Sequence, residues 1–128
     1  MYIAIDGNST GKKIEKMILD NELEKLSKFS SKIQNTIQSI SSNIVQHSGN
    51  IIMAGGDNIL AEIPSSSYRE LLRGIESLSL EDYSFSVAVS VSAQGAYLGL
   101  KYAKATNTQV VEVECFENGK FKFVKISI

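Results

Sequence analysis

The stretch IIMAGGDNILAEI, Ile51 to Ile63, sets two glycines and an acid between two apolar runs. Glycine tolerates the left-handed backbone of a tight turn, so Gly55 to Asn58 reads as the turn and its flanks, NIIMA and NILAEI, as two paired strands. Asp57 at the tip has two readings here, turn residue or functional carboxylate.

Outward from the hairpin, helical and strand patterns alternate. The apolar run Tyr2 to Ile5 is broken at Asp6 by DGNSTG, which is rich in turn and cap formers, and reads as strand, loop, helix. Ile14, Met17, Leu23, Leu26, Phe29, Ile33, Ile37, Ile40 and Ile44 recur at helical spacing. One or two helices are predicted between Thr10 and His47, with a bend at the polar Asp20 to Glu22, and Gly49 is the expected left-handed residue past the end. After the hairpin, Pro64 and the serines end the strand, and Tyr68, Leu71, Leu72, Ile75 and Leu78 mark a helix capped near Ser66 or Ser67.

YSFSVAVSVS, Tyr83 to Ser92, alternates apolar with small polar residues, as a strand buried mainly on one face would. A helix follows through Ala96, Leu100, Tyr102 and Ala103. QVVEVE and FKFVKISI form a last hairpin around Asn118 and Gly119. The order predicts an α+β fold of the split βαβ type, with helices on one face of a mainly antiparallel sheet and a C-terminal hairpin.

A chain of 128 residues, 43% of them hydrophobic, suits one domain spanning 1–128. Its 13 basic and 14 acidic residues give no electrostatic grip on a long nucleic acid or an anionic membrane, so any nucleotide binds at a local site. Cys115 is the only cysteine, which excludes disulfide frameworks and cysteine-rich zinc sites, and its apolar run predicts a core position. No signal segment precedes the first strand and no apolar run reaches the roughly 18 residues of a membrane span, so a cytoplasmic location and no membrane insertion are expected.

In this topology the first strand and the central hairpin are neighbours, which lets Asp6 and Asp57 approach each other. Mg²⁺ takes oxygen ligands at about 2.0 to 2.1 Å and commonly uses one or two carboxylates plus substrate phosphates. Asp6 and Asp57 with the Gly7 carbonyl fit that demand, although Asp6 as a helix cap and Asp57 as a plain turn residue remain open at this point. The loop Gly7 to Gly11 before a helix can cradle phosphate through backbone amides. It is not a Walker A loop, being one residue too short and carrying Lys13 where a metal-binding hydroxyl belongs.

YIAIDGNSTGKKIE, IMAGGDNILAEI and SVSAQGAYLGLKYAKATNTQ together resemble the nucleotide-polymerising palm domains. These include the GGDEF diguanylate cyclases, the palm of the type III CRISPR large subunit and, most similar of all, the stand-alone minimal CRISPR polymerases. The resemblance covers nearly the whole chain. It implies a ferredoxin-like palm that uses Mg²⁺ (or Mn²⁺) to join nucleoside triphosphates into a cyclic dinucleotide or short cyclic oligonucleotide, an antiphage signal read by an effector that is typically a membrane protein.

Carried over by position, Asp6 and Asp57 match the catalytic, metal-binding acids. Gly7, Asn8, Ser9, Thr10, Gly11 and Lys12 match the triphosphate cradle, flanked by Gly56 and Asn58. Lys104 matches the phosphate lysine, with Lys101 second. ATP is the implied substrate, and a symmetric homodimer is expected because ring closure needs two triphosphates facing each other. Tyr68, Arg69 and Arg73 are candidates near a base pocket. Asn8 and Asn58 stand where relatives often carry acids, which thins the carboxylate supply for a second metal. An inactive nucleotide-sensing palm and a structural dimerisation domain are the competing readings.

Overall fold

The computed structural model describes residues 1–78 and 83–126. The chain runs β1 (Tyr2–Gly7), α1 (Thr10–Leu19), α2 (Leu23–Gln46), β2 (Asn50–Gly55), β3 (Asn58–Glu62), α3 (Tyr68–Ser77), β4 (Phe85–Ser90), α4 (Ala93–Ala105), β5 (Val110–Cys115) and β6 (Phe121–Lys125). The predicted bend falls where α1 ends, with Asn21 left-handed at φ 55° between the two helices. Ser67 stands at the N-cap of α3, but its hydroxyl donates to the Pro64 carbonyl instead of capping a helix amide. The last two residues of the FKFVKISI run, 127 and 128, lie outside the described residues.

The strands form one sheet in the order β2-β3-β1-β4-β5-β6. β1 is antiparallel to both β3 and β4, while β4 and β5 are parallel and are joined by α4. The first four strands and their helices make the predicted βαββαβ unit with β1 in the middle, so the class is the expected α+β and the fold is compatible with a ferredoxin-like palm. α4 and the hairpin β5–β6 extend it.

One face of the sheet presents Ile3, Ile5, Ile59, Val87 and Val89 to Phe29, Ile33, Ile40 and Ile44 of α2 and to Leu71, Leu72 and Ile75 of α3. Side chains of this size each contribute about 1.5–3 kcal/mol when fully buried, so this face is the main source of stability. α4 lies on the other face. Gly99 touches the sheet there so closely that a Cβ would stand 2.8 Å from that of Ala88 and would collide with Val113. Placing every helix on one face is therefore corrected. β4 is buried on both sides, because Ser86, Ala88 and Ser90 are small enough for α4 to settle on them.

Two local expectations also change. The left-handed residue after α2 is Ser48 (φ 64°), not Gly49, whose amide bonds the Ile44 carbonyl at 2.8 Å. Cys115 is exposed, not core. It ends β5 beside the start of α4, with Ser90 Oγ and Ser92 Oγ each 3.5 Å from its sulfur, at the rim of the helix-covered surface.

Candidate active site

The register of the sheet decides where the two acids go. Asp6 pairs with Asn58 across β1 and β3, and the amide of Gly7 donates to the Asp57 carbonyl at 3.0 Å. The end of β1 and the tip of the hairpin are thereby fixed to each other by backbone bonds. Gly56 takes φ 58°, the left-handed backbone that the turn demands and that glycine adopts without strain.

Around this junction lies a cleft of about 700 Å³, lined by Asp6, Gly7, Asn8, Ser9, Thr10, Gly11, Lys12, Asp57, Asn58, Lys104 and Asn107. All but two of the candidates for metal and phosphate binding meet there. Gly56 lines an adjoining pocket instead, and Lys101 is absent, its ammonium lying 5.1 Å from the ring centroid of Tyr97. Tyr68, Arg69 and Arg73 do not line the cleft, and Arg69 sits over the ring of Tyr68 on α3.

Lys104 crosses from α4 to β1. Its ammonium donates to the Gly7 carbonyl at 2.8 Å and lies 3.1 Å from Asp6 Oδ2. A cation already sits comfortably against this carboxylate and carbonyl. Asn8 is otherwise occupied: its amide nitrogen donates to Ser84 Oγ at 3.1 Å, and its oxygen accepts from Ser86 Oγ at 2.8 Å. This ties the loop to β4 and spends the side chain where an acid would have offered a ligand.

The amides opening α1 face the cleft without help from a cap, since Ser9, left-handed at φ 58°, makes no side-chain bond to them. The first turn carries no acid, so these donors and the positive end of the helix are open to an anion.

Gly7 is the tightest point. A Cβ there would stand 2.6 Å from Asp57 Oδ2, 2.6 Å from the Tyr83 hydroxyl and 2.8 Å from Thr10 Oγ1. The two hydroxyls are buried and make no hydrogen bond of sound geometry among the described residues. Tyr83 is held in place edge-on to Phe29 and Phe85, so its hydroxyl is aimed by packing.

Burial raises the Tyr83 pKa far above the ordinary tyrosine value, and the charge of Asp57 raises it further. The folded protein thus holds this proton more tightly than the unfolded chain does. Below the unfolded value of about 10 the stability is unaffected, and it falls as pH climbs above that toward the folded value. One of the five tyrosines is therefore expected to ionise only as the protein unfolds, which tyrosinate absorbance followed alongside circular dichroism in alkali will show. The steep alkaline loss of stability should be smaller in Tyr83→Phe.

The described residues contain no cluster of three or more histidine, cysteine or acidic side chains of the kind that grips a metal alone. Two carboxylates and a backbone carbonyl that already accepts a cation are a donor set for a hard divalent ion that takes its remaining ligands from phosphate and water. The model of the minimal CRISPR polymerase domain (mCpol) matches residues 2–113.

The chain belongs to the minimal CRISPR polymerase family. That match takes in β1, the GGD hairpin, α4 and Lys104, the elements that build the cleft. It points to a CRISPR-associated role of polymerase or cyclase type, with nucleotidyl transfer as the general class of activity. No curated protein matches the chain. Among the described residues of this minimal CRISPR polymerase, no helix is long and apolar enough to cross a membrane.

Tyr83 and Asn107 were not among the sequence-derived candidates. Asn107 carried a usable signal, an asparagine just past a helix end, where it takes the left-handed backbone at φ 53°. Tyr83 carried none, because it reads as an ordinary strand aromatic until the fold turns its hydroxyl toward Gly7.

Proposed function

We propose that this chain is a nucleotidyltransferase that joins nucleoside triphosphates, ATP foremost, into a cyclic dinucleotide or short cyclic oligonucleotide, releasing pyrophosphate, as a signal in antiphage defence. The observation that supports this best is the convergence of Asp6, the Gly7 carbonyl, Asp57 and Lys104 on one cleft with the open amides of α1. Asp6, the Gly7 carbonyl and Asp57 would hold Mg²⁺ or Mn²⁺. When bound, that ion neutralises phosphate charge and lowers the pKa of the attacking sugar hydroxyl.

The chain's own residues position the substrates, which is most of what phosphoryl transfer asks of a protein. The amides of Ser9 to Lys12 receive the outer phosphates, and Lys104 adds a point charge. The hydroxyl oxygen of a second nucleotide bonds to the α-phosphorus while the bond to the bridging oxygen breaks. Pyrophosphate leaves with the electron pair, and the hydroxyl proton passes to water. His47 takes no part, since it bonds the Asn43 carbonyl near the end of α2, at the edge of the sheet away from the hairpin tip.

The nucleobase has a place beside this cleft. A pocket of about 330 Å³ shares Thr10, Gly11 and Asp57 with it and adds Ile14 of α1 and Ser30, Ile33 and Gln34 of α2. Two isoleucines and two hydrogen-bonding side chains suit a flat, polar-edged base. One cleft holds one triphosphate donor, so a symmetric homodimer presents two, and the product is read by a separate effector protein.

The amide at Asn8, spent on Ser84 and Ser86, favours a second reading in which the palm binds nucleotide without reacting. The test incubates the protein with each nucleoside triphosphate and with mixtures, in Mg²⁺ or Mn²⁺, and follows pyrophosphate release and product mass. The expected result is pyrophosphate with ATP and a ring-closed product. Tight binding with no pyrophosphate would establish the sensor in its place.

A further inference from the structure

The two atoms that Lys104 holds are two of the three protein oxygens proposed above to hold a divalent cation. Its ammonium donates to the Gly7 carbonyl at 2.8 Å and stands 3.1 Å from Asp6 Oδ2. A divalent ion seated on those oxygens would lie within contact distance of the ammonium, and two positive charges that close repel strongly. Ion and lysine therefore compete for one position.

The lysine is held there by these two polar contacts at the edge of the cleft. Its side chain is 35% exposed and borders the open cleft, whereas the helix that carries it is anchored by Ala103, which is fully buried against β5. Lysine is a flexible four-carbon stem with a mobile head. Lys104 sits in the last turn of α4, and the residues that open α1 line the same cleft. An anion on their amides offers the ammonium a second partner.

We infer that Lys104 is an internal stand-in for the metal, closing the Asp6–Gly7 end of the site to free divalent cations until a triphosphate draws the ammonium away. This rests on the metal and triphosphate reading proposed above. In the resting state the lysine cancels one of the two carboxylate charges that would attract an ion. A triphosphate supplies acceptor oxygens for the lysine and further ligands for the ion, so both changes favour metal entry together. Metal and nucleotide then bind with positive coupling, each raising the affinity of the other by the same factor. The site loads as a metal–triphosphate unit and stays closed to metal alone.

The test measures Mn²⁺ binding by electron paramagnetic resonance or calorimetry, with and without a non-hydrolysable triphosphate analogue, on wild type, Lys104→Met and Lys104→Arg. Lys104→Met is expected to bind Mn²⁺ without nucleotide about tenfold more tightly than wild type, the effect of removing one unit charge beside the ion in a solvent-screened cleft. In the same variant the analogue should strengthen Mn²⁺ binding less than it does in wild type. Lys104→Arg, which keeps the charge, should resemble wild type. Lys104→Gln repeats the measurement should the methionine variant fail to fold, because it removes the charge and keeps a polar, hydrogen-bonding head on the side chain.

A lysine that merely ties α4 to β1 predicts the opposite sign. Nucleotide-free Mn²⁺ affinity that is unchanged or weaker in folded Lys104→Met overturns the inference and leaves the metal reading standing, provided the wild type binds Mn²⁺ with the analogue. Absence of Mn²⁺ binding in every protein, with and without the analogue, overturns both.

Discussion

Asp57→Asn is expected to cut pyrophosphate release by on the order of 10³-fold, since a bound cation is worth several kcal/mol to the transition state and each 1.4 kcal/mol is tenfold in rate. The change is confined to charge. The hairpin tip is held by the Gly7 amide bonding the Asp57 backbone carbonyl, a contact that asparagine keeps, and by Gly56, which is untouched. Thermal unfolding should stay near the wild-type value. Metal-dependent nucleotide affinity should fall with activity, because the described residues bring no third carboxylate to make up the loss. An asparagine variant that binds nucleotide in Mg²⁺ as tightly as wild type would remove Asp57 from the metal site, whatever the fold.

What makes Asp57 informative is also what made the fold legible. AGGDN specifies a turn by its glycines, the turn specifies an antiparallel pair, and the split βαβ order places that pair against β1, where β3 is found. The step from two distant aspartates to one site needed only that neighbour relation. Alternation along a strand reports that its two faces differ, but not whether the second face is covered. Ser86 and Ser90 look like solvent-facing residues and are 2% and 0% exposed. The same ambiguity moved Cys115 outward, since an apolar run says nothing about where the covering helix begins.

Lys104 and Lys101 show a finer limit. They are three residues apart on one helix, a spacing that makes helical neighbours, so sequence alone ranks them weakly. The structure separates them because α4 lies across β1 with Lys104 reaching the Gly7 carbonyl and Lys101 turned to Tyr97. The hydroxyls of Thr10 and Tyr83 were harder still to foresee. Residues 73 positions apart meet only after α1, α2 and β4 have been assembled, and their unsatisfied state is a property of the packing around Gly7.

That packing makes Gly7→Ala the most damaging single methyl group that the site can receive. Glycine is needed here for room and not for backbone freedom, since its φ is not among the positive ones. The added carbon would meet Asp57 Oδ2, the Tyr83 hydroxyl and Thr10 Oγ1 at 2.6, 2.6 and 2.8 Å, and real Cβ atoms do not approach other heavy atoms below 3.0 Å. Tyr83 cannot retreat, being wedged edge-on between Phe29 and Phe85. The carboxylate of Asp57 is the group left to move, and it moves out of the position proposed for a metal ligand. Overpacking of this kind costs about 1–3 kcal/mol of stability, and displacing a ligand should add a loss of activity of on the order of 10²-fold or more. Gly11→Ala is the internal contrast. Gly11 lies in the first turn of α1 with nothing within 4 Å of the new carbon, so alanine there should stabilise the protein by about 0.4–1 kcal/mol by restricting the unfolded chain. Chemical denaturation of the two variants beside wild type should therefore give midpoints displaced in opposite directions. A Gly7→Ala protein as stable as wild type, with Asp57 still supporting pyrophosphate release, would mean that the three oxygens around Gly7 do not form the rigid wall described.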